Sequence, residues 1–400
     1  MSMVNTALKE WFAEHIIGAR EVDLLSDVSK LAFGFSNETF VVGVGWTDDA
    51  GARHEKEYVL RLPPPGENGL LAPYDIGKQY QIMGALKDSP IPVPAVLWYE
   101  EGTEIFGRPF FVMEKLDGTA FEKAVPSAFA NFAPDDARDM ARRAVTMIAH
   151  VAQVDWKSSG IDCLGDTADP TGPELDRWVT YFEGSRVGEM PAFGLIIDWL
   201  RANKPQPSGR IGLLHGDAKW GNFMWADDGQ VVSFNDWEMA SLGDPLIDLS
   251  YFLCTTFIGG SENPFPMKTG LSRLEVIALY SELTGIDVKD DDLRWYEVLN
   301  YFKLASIIYR MQYLFAIGAS DDLRFAFSKI GLNLWLGSAL RLIGADPATD
   351  PGIPPIDSEK LSAAAQKTLR DSVIPALDSP QIAEQAALVA AALGHLTVSV

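Results

Sequence analysis

Only two of the 400 residues are cysteines, Cys163 and Cys254, and no metal-type spacing links them. That scarcity excludes a disulfide framework and a cysteine-built zinc site, and it points to a reducing compartment. Basic residues are also few, 33 against 55 acidic, for a formal net charge of −22. A polyanion would find no counter-charge here, so general nucleic-acid binding is excluded. A solvated acidic face accounts for the charge, with an acidic pocket for a cationic substrate as the sharper alternative. Long apolar runs are missing as well, and none reaches the length of a bilayer span. The first twenty residues carry Lys9, Glu10 and Glu14 where a secretory signal would be apolar. The expectation is a cytoplasmic chain with neither nucleic acid nor membrane as partner, and with homo-oligomerisation left open.

What is present is ordinary globular material, 47% apolar and 22% charged. A chain of this length exceeds one small core, so two lobes are expected. Residues 1–117 read as a sheet-rich lobe with one internal helix. A short helix over 5–20 comes first, then two apolar runs flanking Gly34, Ser36 and Asn37 as in a hairpin. A strand over Glu57–Leu62 closes at Pro63-Pro64-Pro65-Gly66, a helix over 75–86 follows, and Phe110–Met113 forms a compact strand. Residues 118–350 turn helical: Met140, Ala144, Met147, Ile148 and Val151 recur at three- and four-residue steps. Further amphipathic segments lie near 273–285, 292–317 and 322–343. In the second of these, Trp295, Leu299, Phe302 and Tyr309 form an aromatic stripe, read as core before pocket lining. Residues 351–400 form an Ala-rich helical extension, with a helix start at Ser379-Pro380 and a stop at Gly394.

The stretch 213–248, LLHGDAKWGNFMWADDGQVVSFNDWEMASLGDPLID, concentrates the chemistry. It reads as loop, strand, Gly/Asp turn and strand, which brings Asp217, Asn222 and Asp236 to one edge of a small hairpin. Asn222 and Asp236 are oxygen donors able to share a hard cation such as Mg²⁺, with the remaining positions left to phosphates and water. Asp217 is then placed to accept a hydrogen bond from an alcohol, and Lys219 to offset charge on a transferred phosphoryl group. His215 reads as a hydrogen-bonded framework residue. The plain alternative is a polar turn in which Asp and Asn occur because turns favour them.

His215-Gly216-Asp217 with Asn222, the Asn235-Asp236-Trp237-Glu238 element and Gly243-Asp244-Pro245-Leu246-Ile247-Asp248-Leu249 resemble the aminoglycoside phosphotransferase and choline kinase superfamily. The subgroup it is similar to contains the kinase-like domains associated with acyl-CoA dehydrogenases, through Val59-Leu60-Arg61 followed by prolines and glycine. The resemblance implies an α+β, protein-kinase-like two-lobe fold: a small antiparallel-sheet lobe with one helix and a larger, mainly helical C-terminal lobe. It implies Asp217 as base or hydroxyl-orienting residue, Asn222 and Asp236 as Mg²⁺ ligands, a γ-phosphate contact for Lys219, and Asp248 as a brace for the loop. Ser36 and Asn37 fall in the short nucleotide loop after Phe33-Gly34-Phe35, and Arg61 where the phosphate-binding lysine belongs. Arg61 can grip phosphate with two donors. Glu114 and Leu116 match the hinge whose backbone pairs with adenine. The helix glutamate of the family falls at Gln79, which carries no charge.

The expected activity is transfer of the γ-phosphoryl group of ATP, with Mg²⁺, to a hydroxyl of a small molecule. The alternative is a kinase-fold protein that binds a nucleotide or metabolite with weak turnover or none. Subgroup similarity points to hydroxylated acyl or other catabolic metabolites, and the acidic charge to a cationic alcohol.

Overall fold

The computed structural model describes residues 3–26, 28–30, 36–66, 69–121, 133–206, 210–257, 270–326, 328–352, 357–377, 382 and 384–390. They fall into two compact units, Met1–Pro173 with Pro205–Glu297, and Glu174–Lys204 with Val298–Val400.

The first unit opens with helix α1 (Met3–His15). The expected helix over 5–20 stops early because Gly18 takes a positive φ of 75° and turns the chain into β1 (Arg20–Leu24). Strands β2 (Ser29–Lys30), β3 (Glu38–Thr47) and β4 (Arg53–Leu62) follow, and β2 pairs antiparallel with β3 through Ser29↔Val41 and Lys30↔Phe40. The tip between them, including Phe33, Gly34 and Phe35 of the expected nucleotide loop, lies outside the described residues. Helix α2 (Ile76–Ala85) starts where Asp75 accepts the Lys78 N–H at 2.8 Å, and β5 (Val96–Glu100) and β6 (Phe110–Glu114) complete an antiparallel sheet ordered β1-β3-β4-β6-β5. The predicted strand Glu57–Leu62 is the second half of β4, buried from Tyr58 onward except for half-buried Arg61; Arg53–Glu57 is exposed. Leu8 and Phe12 of α1, Val42, Leu60, Leu62, Phe110 and Val112 are fully buried together. Each such side chain contributes roughly 1.5–3 kcal/mol by leaving water.

Still in the first unit, β7 (Thr119–Ala120) leads towards the long helix α3 (Pro134–Ala152). Strand β8 (Gly212–Leu214), the β9 (Phe223–Trp225) and β10 (Val231–Phe234) hairpin, and β11 (Ser241–Gly243) then frame the stretch singled out in the sequence. Helix α6 (Leu246–Thr256) follows β11 after Asp244-Pro245, and α7 (Arg273–Thr284) begins with a capping box between Ser272 and Glu275.

The second unit is helical: α4 (Gly172–Glu183), α5 (Pro191–Ala202), α8 (Arg294–Ala316), α9 (Leu323–Ala326), α10 (Lys329–Ile343) and α11 (Ser358–Thr368). Phe182 and Phe193 stack with centroids 4.3 Å apart, and Phe302 and Tyr309 close around them. Trp295, Leu299, Phe302 and Tyr309 are all buried. The segment expected as one helix over 322–343 is two, α9 and α10. The expected boundaries at Ser379-Pro380 and Gly394 lie outside the described residues. Small antiparallel sheet first and larger helical part after is the order the sequence predicts. Among the described residues no helix is long and apolar enough to cross a membrane.

Candidate active site

All the side chains of the candidate site belong to the first unit. Pairing of β8 with β11 (Leu214↔Ser241, Leu213↔Leu242) fixes the end from which the loop His215–Lys219 departs. Gly216 there has φ +80°, and an added Cβ would lie 2.4 Å from the Met239 carbonyl oxygen, so only glycine fits. The loop is held from below by α6: the Asp248 carboxylate accepts the His215 N–H at 2.6 Å and the Gly216 N–H at 3.0 Å. Asp248 is buried and each of its oxygens binds one N–H, which matches the bracing duty implied by the resemblance.

His215 is fully buried and stacked on Phe234 at 4.0 Å. Its Nδ1 accepts the Asp217 N–H at 3.2 Å, so the proton sits on Nε2, which donates to the Asn235 carbonyl at 2.8 Å. The ring therefore ties the loop to the end of β10, as a framework residue does.

Asp217 is buried with three donors on its carboxylate. Tyr251 Oη donates to Oδ1 at 2.6 Å; Asn222 Nδ2 donates to Oδ2 at 2.8 Å, and Lys219 Nζ lies 3.0 Å from Oδ2. Burial pushes the carboxyl up, but Lys219, Tyr251 and Asn222 outweigh it and hold Asp217 below the ordinary aspartate value. With its amide N–H₂ on Asp217, Asn222 has Oδ1 as the oxygen it could offer a cation. The Asn235 N–H bonds the Asn222 carbonyl at 2.8 Å, which sets Asp236 beside Asn222, and Asp236 adopts the left-handed region at φ 72°. Strain of about 1–2 kcal/mol in a non-glycine residue there is characteristic of a site held by its surroundings.

Arg61, on β4, donates through Nη1 to Thr39 at 2.8 Å and through Nη2 to Asp236 Oδ1. Ser36 Oγ and Asn37 Nδ2 both donate to Glu238, Asn37 at 2.6 Å. Burial first, then the adjacent Asp236 carboxylate, push Glu238 up to about 8, against the pull of Arg61 and Ser36. Gln79 is buried on α2, and its Nε2 has no hydrogen-bond partner among the described residues. At the expected hinge, the Glu114 N–H binds the Ala95 carbonyl at 2.9 Å, and its Oε1 accepts the Ala95 N–H at 2.9 Å. Two residues were missed in the sequence. Glu238 lies within the quoted Asn235–Glu238 element, and Tyr251 lies one helical turn beyond Asp248; an acid beside a metal-type Asp and an i, i+3 pair were the available signals.

Among the described residues no three His, Cys, Asp or Glu side chains form a ready-made metal cage. A hard cation that completes its shell with phosphate and water needs only one or two carboxylates, and Asn222 Oδ1 with Asp236 and Glu238 are all oxygen donors of that kind. The donor set fits Mg²⁺.

The chain is 25% identical over 337 residues to human acyl-CoA dehydrogenase family member 11, covering 82% of this chain and 41% of that protein. It thus spans a quarter to about two fifths of the length of the curated relatives it matches. A protein of Ralstonia eutropha JMP134 whose structure is named after the aminoglycoside phosphotransferases superposes with a TM-score of 0.68 at 22% identity, over 85% of this chain and 98% of its own. An amicoumacin kinase in complex with AMP-PNP, Ca²⁺ and Ami superposes at 0.51 and 17% identity, over 89% and 96%. The fold is thus kinase-like. The model of the phosphotransferase enzyme family matches residues 27–280, and the chain belongs to that family.

Proposed function

We propose that this protein transfers the terminal phosphoryl group of ATP to a hydroxyl of a small molecule. The observation that carries the reading is the Asp217 carboxylate, buried yet kept ionised by Lys219, Tyr251 and Asn222 at the end of a braced loop. An ionised carboxylate of lowered basicity orients an alcohol, and takes its proton only as the new O–P bond forms. The oxygen of the alcohol bonds the γ-phosphorus, the bond from that phosphorus to the β–γ bridging oxygen breaks, and ADP leaves with the electron pair. Arg61, Ser36 and Asn37 are donors of the kind that phosphate oxygens take, and Lys219 offsets charge near the reacting group. Asn222 and Asp236, with Glu238 beside them, would hold Mg²⁺, which supplies charge neutralisation on the phosphate oxygens when bound. The nucleotide and cation in the amicoumacin kinase complex support this reading.

The acceptor we favour is a hydroxylated acyl group, because the curated relatives are named for acyl-CoA dehydrogenases. The test is phosphoryl transfer from γ-³²P-ATP with Mg²⁺ to three pools: hydroxyacyl-CoA esters, aminosugars, and choline with ethanolamine. Label is expected in the hydroxyacyl pool and absent with Asp217→Asn. Label in another pool refutes the acceptor class; none in any pool, with ATP bound, favours a binding protein. The partners already engaging Arg61, Ser36 and Asn37 are what motivates that second reading.

A further inference from the structure

The Asp217 carboxylate has four acceptor positions, two on each oxygen. Oδ2 is filled twice, by Asn222 Nδ2 and Lys219 Nζ, and Oδ1 once, by the Tyr251 hydroxyl. Among the described residues a single position is therefore left, on Oδ1 beside the phenol. Tyr251 is itself buried, and sits on α6 three residues after Asp248, so one rigid helix grips the loop twice. Asp248 holds the backbone of His215 and Gly216; Tyr251 holds the side chain of Asp217.

We infer that Tyr251 is a positioning residue: its hydroxyl blocks one of the two acceptor positions of Asp217 Oδ1, so that only one acceptor hydroxyl, in one orientation, can bond the carboxylate. This rests on the phosphotransferase reading and deepens it. With the phenol in place, alcohol and water compete for one position, and an alcohol anchored by the rest of its structure wins. With the phenol removed, a water fits beside the alcohol, tilts it off line, and is itself placed to attack. Selection of alcohol over water is thus assigned to a residue that touches neither.

The experiment compares Tyr251→Phe with the wild type using ATP and Mg²⁺, with water as one acceptor and a pool of hydroxyacyl-CoA esters as the other. Transfer to the alcohol is expected to fall about 10- to 100-fold in kcat, the usual effect of losing a hydrogen bond to a charged group from the transition state. ATP hydrolysis is expected to hold or to rise, so the hydrolysis-to-transfer ratio increases at least about tenfold. The KM for ATP stays within about twofold. Phe252→Leu, a neighbour on α6 that is fully buried, controls for loosening of the helix and should lower melting temperature without moving the ratio. A Tyr251→Phe enzyme with the wild-type ratio overturns the inference, as does a Phe252→Leu enzyme whose ratio shifts equally. Should Tyr251→Phe not fold, the wild type labelled with ¹³Cζ-tyrosine is read by NMR instead: a Tyr251 signal that shifts when the hydroxyacyl-CoA pool is added to enzyme with AMP-PNP and Mg²⁺ supports the inference, and an unmoved signal overturns it. A wild type that neither transfers nor hydrolyses sinks the phosphotransferase reading, and this inference with it.

Discussion

Replacing Asp248 separates the framework of the site from its chemistry. The carboxylate takes two consecutive backbone N–H groups, at 2.6 and 3.0 Å, where water does not reach. Asp248→Ala leaves both donors unsatisfied, at about 1–3 kcal/mol each, so the loss is about 2–6 kcal/mol. Asp248→Asn keeps one acceptor oxygen but turns an amide N–H₂ towards the other donor, and falls between wild type and alanine. With a urea m-value of about 3 kcal/mol/M, the upper end of the small-protein range, the alanine variant moves the unfolding midpoint down by about 0.7–2 M. Asp217→Asn is the contrast: it keeps the shape, its oxygen can still accept from Asn222 and Lys219, and its N–H₂ can face the Tyr251 hydroxyl, which is able to accept, so it shifts the midpoint less and removes transfer. The assay is urea unfolding followed by tryptophan fluorescence, beside phosphoryl transfer at saturating ATP. If Asp248→Ala unfolds at the wild-type midpoint, or Asp217→Asn is the less stable of the two, the assignment of brace and base is wrong.

Other outcomes follow from the same geometry. Gly216→Ala should cost about 3 kcal/mol or more and abolish transfer, because the new Cβ meets the Met239 carbonyl at 2.4 Å in a left-handed backbone; a soluble, active alanine variant refutes it. Glu238 has a folded-state value raised from 4.5 to about 8, so without added divalent cation the folded protein loses stability as pH climbs through that window, by up to about 5 kcal/mol. Glu238→Gln should flatten that fall, and parallel pH profiles of urea midpoint for the two proteins would contradict it. Arg61→Lys should raise the KM for ATP several-fold with a smaller effect on kcat, since the bond to Thr39 and the contact to Asp236 need two separate donors; steady-state kinetics decide it.

Local signals made much of the fold legible. The helix expected over 75–86 is α2, which begins one residue after Asp75 and ends one before Leu86. The strand read over Glu57–Leu62, closed by Pro63-Pro64-Pro65, marked the buried end of β4. The loop 215–222 was legible because its residues sit close in sequence, and Asn222 and Lys219 do meet Asp217. What stayed hidden are pairings that depend on long-range folding. Arg61 meets Asp236 across 175 positions and Ser36 meets Glu238 across 202, and no periodicity encodes such a meeting. The end of α1 was overrun because only backbone conformation distinguishes the left-handed Gly18 from any other glycine. The 322–343 segment kept its apolar rhythm through the break between α9 and α10, which the rhythm alone does not register.

The pairing of Arg61 with Asp236, and of Ser36 and Asn37 with Glu238, means that the proposed site meets its cosubstrate with every handshake already taken. A bare triphosphate that pulled the three donors away would strand two acids with nothing to offset them; a bare cation drawn to the acids would leave a guanidinium and two polar groups without company. Only an arrival bearing both signs lets all parties swap at once. On the phosphotransferase reading, the admission rule is a matter of charge symmetry: either half of a neutralised nucleotide is a poor guest alone.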